Sequence, residues 1–153
     1  MANLTERDRI AHLARTCAGI NLRRVSQAIT NYYDERLVDA CGLRITQITP
    51  LVVLYLGGPQ PIHAIAERLG LDRTTLARNL KLLEKDGLIK VAPGHDQRTR
   101  IVELTRHGQS VLLKALPTWE DAQAHVVDGL GEARFQALLA QLGDVAKLAR
   151  ETG

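Results

Sequence analysis

The stretch PIHAIAERLGLDRTTLARNLKLLEKDGLIKVAPGHDQRTRIVELT, residues 61–105, decides the fold. Periodicity and punctuation divide it into two short helices around a tight turn, then a strand, a polar loop and a second strand. That order of elements is a winged helix-turn-helix. In the second helix Leu76, Leu80 and Leu83 recur at i, i+4 and i+7, one apolar stripe to anchor it on a core. Asp72 is placed to cap its start, because a carboxylate accepts from the free amides of a first turn. Gly87 is placed to end it in the left-handed conformation. The helix is therefore predicted over 73–86.

Its opposite face carries Arg73, Thr74, Thr75, Arg78 and Lys81, with Asn79 at the border and Lys85 near the end. Such a face suits a DNA major groove, which is wide enough to admit a helix. Arginine pairs bidentately with guanine, asparagine with adenine, and threonine methyls touch thymine methyls. Two flanking features agree with this reading. Ile62, Ile65, Ala66 and Leu69 make the stripe of a preceding helix that stops at Gly70, and Gly70-Leu71-Asp72 is the short turn between the two. Leu88 to Val91 and Arg100 to Leu104 read as strands, while residues 92–99 between them are turn-rich and polar. Arg98 at the hairpin tip is placed to enter a minor groove, where the potential is strongly negative. His95 and Arg100 join the DNA-facing set. Asp96, which would repel phosphate if free, is read as a brace that orients a neighbouring arginine.

Charge is distributed accordingly. The chain carries 20 Lys or Arg against 17 Asp or Glu, a net of +3. Residues 61–106 hold nine of the cations and six of the anions, so the remainder balances at eleven of each sign. All the excess positive charge thus lies in the unit that would meet phosphate.

The run DRTTLARNLKLLEKDGLI, followed by Asp96-Gln97-Arg98 and then Leu104-Thr105-x-x-Gly108, resembles the MarR family of bacterial transcriptional regulators. The resemblance extends over nearly the whole chain. It implies a mainly α fold with a small β-hairpin wing, in which residues 46–105 are the DNA-binding region and residues 5–42 and 106–150 form a helical dimerisation region. It also implies that Arg98 is the wing-tip arginine, that Asp96 supports the wing, and that the face from Arg73 to Lys81 reads bases.

The rest of the chain fits one globular unit. Its 153 residues are 45% hydrophobic and 24% charged, enough for a real core. No run of about 18 apolar residues is present, and the start MANLTERDRI is charged, unlike a signal peptide. A cytoplasmic protein without membrane contact is the expectation, with Cys17 and Cys41 as thiols. Thr5 is placed to cap one long helix ending before Gly42, with a stripe of Leu13, Cys17, Ile20, Ala28 and Tyr32. Thr46 is placed to cap a core helix over 47–56, in which Pro50 is tolerated because first-turn amides are free. Thr105 should cap a helix bearing Leu112, Ala115, Leu116, Trp119, Ala122, Val126 and Leu130, kinked at Pro117. Gly129 and Gly131 separate it from a last helix over 132–150, striped by Phe135, Leu138, Leu139, Leu142 and Val145. The terminal helices lack a compact partner within one chain. They predict a homodimer on a pseudo-palindromic operator with half-sites roughly 34 Å apart.

Other chemistry is thin. The five histidines (12, 63, 95, 107 and 125) fall in different elements, without metal-ligand spacing, so no metal is expected. Nor is a cofactor: there is no Gly-rich phosphate loop, nucleophile elbow or paired-carboxylate site, and the chain reads as not an enzyme. The function read is a sequence-specific, double-stranded DNA-binding repressor. It would be released by a small aromatic or apolar effector bound between the first helix, the 47–56 helix and the Trp119 helix. Two alternatives stay open: a thiol-based sensor of organic hydroperoxides using Cys17, near Arg15, Arg24, Tyr32 and Tyr33, and a winged-helix protein-interaction module.

Overall fold

The computed structural model describes residues 5–96 and 98–151; Gln97, the middle of the Asp-x-Arg motif, lies outside them. In chain order the elements are α1 (Glu6–Thr16), α2 (Ala18–Cys41), α3 (Ile45–Gly57), β1 (Gln60–Pro61), α4 (Ile62–Leu69), α5 (Arg73–Lys85), β2 (Ile89–Pro93), β3 (Arg100–Leu104), α6 (Arg106–Leu130) and α7 (Glu132–Glu151). The strands form one antiparallel sheet in the order β1-β3-β2. This is the predicted mainly α fold with a hairpin wing.

The core gathers where the leucine stripe of α5 meets α3. Leu76, Leu80 and Leu83 pack with Leu51 and Leu54 of α3, Ile65 of α4, Leu37 of α2, and Ile89 and Val102 of the sheet, all essentially inaccessible to water. Each such side chain contributes about 1.5–3 kcal/mol through removal of apolar surface from water. The predicted stop of α4 holds: Gly70 adopts φ 63° and its N–H bonds Glu67 O.

Four boundaries differ from the sequence reading. The single N-terminal helix is two, because Cys17 takes an extended backbone, φ −63° and ψ 116°. Asn21 Nδ2 spans the break, donating at 3.1 Å to Arg15 O, a carbonyl of the last turn of α1, and at 2.9 Å to Cys17 O, which also accepts from Asn21 N. The predicted Thr5 cap is present, with Thr5 Oγ1 accepting from Asp8 N and Asp8 bonding back to Thr5 N. Second, α3 starts at Ile45, before Thr46. Its first amide is capped from another helix: Asp34 Oδ1, buried on α2, accepts from Ile45 N at 2.7 Å while Oδ2 pairs with Arg44 at 3.3 Å. Pro50 consequently sits beyond the first turn. Third, β2 runs on to Pro93, because Ala92 and Pro93 pair with Ile101 and Arg100. The short β1, unforeseen, pairs Gln60 with Val102 and Pro61 with Ile101. Fourth, Gly129 belongs to α6, and the break to α7 falls at Gly131 alone, φ 83°. α6 remains one helix through Pro117.

The wing is fastened to α6 at a close-packed junction. Thr105 Oγ1 accepts from Gly108 N at 2.9 Å, capping α6, and Thr105 N donates to Leu88 O at 3.1 Å. A Cβ on Gly108 would stand 2.0 Å from Leu88 O and 2.8 Å from Leu104 Cδ1. Backbone cannot yield there as a flexible side chain would. Gly108→Ala is therefore expected to destabilise the protein by about 3 kcal/mol, at the upper end for overpacking. Urea unfolding at fixed protein concentration measures it, and a loss below 1 kcal/mol would show that the junction relaxes.

Candidate nucleic-acid interface

The N-terminus of α5 is set by Asp72, whose Oδ1 accepts from Thr75 N at 2.9 Å and Oδ2 from Thr75 Oγ1 at 2.5 Å. With Leu76, Leu80 and Leu83 turned inward, Arg73, Thr74, Thr75, Arg78 and Lys81 are exposed together. Thr75 keeps its methyl free but engages its hydroxyl. Asn79 is half-buried at the border, and its amide faces α3: Nδ2 donates to Thr46 O at 2.7 Å. Thr46 O takes one of the two N–H groups on Nδ2, so the orientation of the Asn79 amide is tied to α3.

The hairpin tip repeats the construction of the helix start. Asp96 Oδ1 accepts from Thr99 N at 2.8 Å and Oδ2 from Thr99 Oγ1 at 2.7 Å, while Gly94 N and Thr99 O close the loop at 2.7 Å. The Asp96 carboxylate thus folds the loop through Thr99, while its carbonyl accepts from the N–H of the neighbouring Arg98 at 2.7 Å. His95, Arg98 and Arg100 are exposed on this loop and its following strand. Because β1 pairs with β3, the start of α4 is drawn beside the wing. Ile62 and His63 then share a groove of about 250 Å³ with Arg73, Arg98, Thr99 and Arg100. His63 was not among the sequence candidates. Its signal lay in the Gln60-Pro61 pairing, which is too short to show as a strand pattern.

The acidic residues of the unit are mostly engaged elsewhere. Besides Asp72 and Asp96, Glu84 Oε1 accepts from Val91 N at 3.2 Å, and Glu103 pairs with Lys90 at 3.0 Å across β2 and β3. Among the described residues no carboxylate lies within ion-pair distance of Arg73, Arg78, Lys81, Arg98 or Arg100. Their charge is therefore available to a polyanion, and desolvating them does not first require breaking an internal pair.

Elsewhere in the protomer, Ile45, Ile48, Thr49 and Val52 of α3 face Leu112, Ala115, Leu116 and Trp119 of α6 around a cavity of about 370 Å³. The first helix, expected as a third wall, does not line it. Cys17 sits at the α1–α2 break, and both cysteines are free. Tyr32 and Tyr33 lie 15 or more residues further along, about 22 Å away at helical rise. Their hydroxyls donate to Ala122 O at 3.3 Å and Gln123 Oε1 at 2.5 Å, so they belong to the α2–α6 seam and not to a thiolate site. Burial raises the Tyr33 phenol above its ordinary value, with Tyr32 adding to the effect. No group of three His, Cys, Asp or Glu among the described residues is placed to hold a metal. No single described helix is long and apolar enough to cross a membrane; α2 and α3 together match in length and composition but bend by 72°.

Hydrogen bonds from the hydroxyl and then the amide of Thr99 hold the Asp96 carboxyl below the ordinary value of 3.8. A lowered folded value means the brace is intact above the unfolded pKa and is lost as pH falls through the folded one. The Thr99 amide resonance should therefore titrate with a midpoint below 3.8. Asp96→Asn should abolish that titration, and Thr99→Val should return it toward the ordinary value. An unmoved midpoint in the valine variant would mean that the hydroxyl does not hold the loop.

The MarR family profile matches residues 42–99. The M. tuberculosis transcriptional regulator MosR is 34% identical in one crystal structure, with a TM-score of 0.75 over 88% of this chain and 98% of that one. In a structure of MosR with DNA the identity is 37% and the TM-score 0.76, over the same shares. The transcriptional repressor CouR bound to a 23-mer DNA duplex shares the fold at a TM-score of 0.78, covering 95% of this chain and 99% of that one at 22% identity. Among curated proteins none matches the chain. Identity above 30% to MosR along almost all of its length, with the family profile on the helix-turn-helix, places the chain in the MarR family of DNA-binding transcriptional regulators.

Proposed function

We propose that this protein is a homodimeric repressor that reads a pseudo-palindromic operator and leaves it when an uncharged apolar or aromatic molecule occupies the α3–α6 cavity. The observation that carries the DNA reading is the set of exposed cations on α5 and the wing with no carboxylate partner among the described residues. Arg73, Arg78 and Lys81 meet the major groove from α5, with the Thr74 and Thr75 methyls beside them. Arg98 enters the adjacent minor groove, and His95 and Arg100 meet phosphate. His63 is added to the phosphate-facing side.

The dimer reading rests on α1 and α7, which bury no residue within the protomer although Ile10, Leu13, Leu139 and Leu148 are apolar. For the effector, the eight cavity residues carry no charged side chain; their polar side-chain groups are the Trp119 indole N–H and the Thr49 hydroxyl, which already donates to Ile45 O at 2.8 Å. A ligand charge would be buried there unpaired, which is strongly unfavourable. Occupation changes DNA affinity only if the ligand binds the operator-competent and released arrangements differently.

The deciding experiment is selection of duplexes from a random library, followed by titration of the winner and a scrambled control at physiological salt. Arg78→Ala should weaken operator binding by about 5- to 150-fold, equivalent to about 1–3 kcal/mol, and relax preference at one base pair. Arg98→Ala should weaken operator and control alike and lower the salt dependence by about one counterion. Equal losses on both duplexes for both variants would remove the division between reading and anchoring. Trp119, the chain's one tryptophan, lines the cavity. Uncharged aromatics should quench its fluorescence and release operator in the same concentration range. Quenching without release would reject the switch.

A further inference from the structure

Residue 50 of α3 is proline, which brings no N–H to the helix. In a regular helix that N–H would bond the carbonyl four residues back, so Thr46 O lacks its helical donor. The donor it has comes from another element: Asn79 Nδ2 of α5, at 2.7 Å and 33 residues away in sequence. Thr46 is exposed, and water would satisfy the same carbonyl. The bond is therefore not needed to rescue a buried acceptor. What it adds is direction.

The leucine stripe that anchors α5 is held by dispersion and apolar burial, which are non-directional and tolerate small rotations about the helix axis. A hydrogen bond is directional, weakening steeply as its angle departs from linear. A rotation of about 15° moves a point on the helix surface, roughly 6 Å from the axis, by roughly 1.5 Å. That displacement exceeds what a bidentate arginine–guanine pair tolerates. Asn79 is the immediate neighbour of Arg78, so an orientation fixed at one is passed directly to the other.

We infer that Asn79 is a positioning residue: its bond to the carbonyl freed by Pro50 sets the rotation of α5 against α3 and so aims Arg73 and Arg78 at their bases. This rests on the reading of α5 as the base-reading helix. It differs from a direct contact, which would make Asn79 itself a reader of one adenine.

The test compares wild type with Asn79→Ala, Asn79→Asp and Pro50→Ala/Asn79→Ala. Selected and scrambled duplexes, position-resolved base preferences and thermal unfolding are the readouts. The expected result is a tenfold or greater fall in the ratio of selected to scrambled affinity for both single variants. Preference should relax at every base pair that Arg73 and Arg78 read, with unfolding temperatures nearly unchanged. The double variant, which returns a backbone donor to Thr46 O, should not recover the ratio. An unchanged ratio, a loss confined to one A·T pair, or recovery in the double variant would each overturn the inference.

The tie is also read without DNA. In the free protein, backbone amide resonances over 73–81 should shift in Asn79→Asp, and unmoved resonances there would overturn the inference too. If wild type selects no sequence while those resonances move, the base-reading proposal is what fails, and the tie's control of α5 stands.

Discussion

Helix α3 has little polar surface to give to water, and the rest of the molecule is arranged around that constraint. Ile48, Pro50, Leu51, Val53 and Leu54 are buried, and α3 touches α2, α4, α5, α6 and β3. A helix apolar on so many sides is stable only when others enclose it. Its N-terminus shows the consequence: the first amide is capped by Asp34 from α2, and the carbonyl that Pro50 leaves without a donor is met by Asn79 from α5. The local cap, Gln47 Oε1 accepting from Arg44 N at 3.0 Å, is thus supplemented by capping between elements. Each such bond fixes the angle at which a neighbour lies against the core helix, which apolar contact alone would leave loose.

The same economy governs charge. A reading unit with six acidic residues among nine cations would repel phosphate if its carboxylates faced outward. Asp72, Glu84, Asp96 and Glu103 instead hold the α5 cap, the α5–β2 contact, the hairpin tip and the Lys90 bridge. These carboxylates stay ionised, but their oxygens are turned to the unit's own N–H and O–H groups and ammonium. Asp72-x-x-Thr75 and Asp96-x-x-Thr99 are one device used twice, fixing the start of the helix and the tip of the wing, whose Arg73 and Arg98 line one groove. The short β1–β3 pairing adds the start of α4 and closes the basic groove.

How much of this was legible in the residues depends on whether the signal was local. Leu76, Leu80, Leu83, the Asp72 cap, Gly70 and the Thr105 cap are decided within one or two helical turns, and the structure has them where the periodicity predicts. The α1–α2 break was not legible, because apolar spacing continues across Cys17 and the residue that stabilises the break, Asn21, acts through its side chain. The start of α3 was missed for a related reason: its cap comes from Asp34, eleven residues earlier on another helix. Asn79 looked like a base reader by type and spacing. Its role in the scaffold depends on a contact 33 residues away and on a proline whose missing N–H shows only once the helix start is known. At the candidate site, residue types on the α5 face were readable, whereas which of them have free polar atoms was not.

The proposed control of binding from a cavity against α6 draws on where that helix is held. Its first turn is locked to the wing through Thr105 and Gly108, with no room for even a methyl group between Gly108 and Leu88. Its last turn passes through Gly131 to α7. The cavity walls Leu112, Leu116 and Trp119 lie between those two ends. Neither the 11-residue α1 nor the 20-residue α7 has a fully buried residue inside the protomer, and a helix as short as α1 is marginal alone in water. In the proposed dimer, the surface that orders them also sets the distance between the two reading heads. A molecule that wedges α6 from α3 then acts on a rigid rod joined at one end to the wing and at the other to the dimer contact. Closely packed joints of this kind shift between discrete arrangements more readily than they stretch. A small displacement at the cavity would therefore appear at the DNA as a changed spacing of whole heads, with the internal geometry of each head preserved by the α3 and α5 ties.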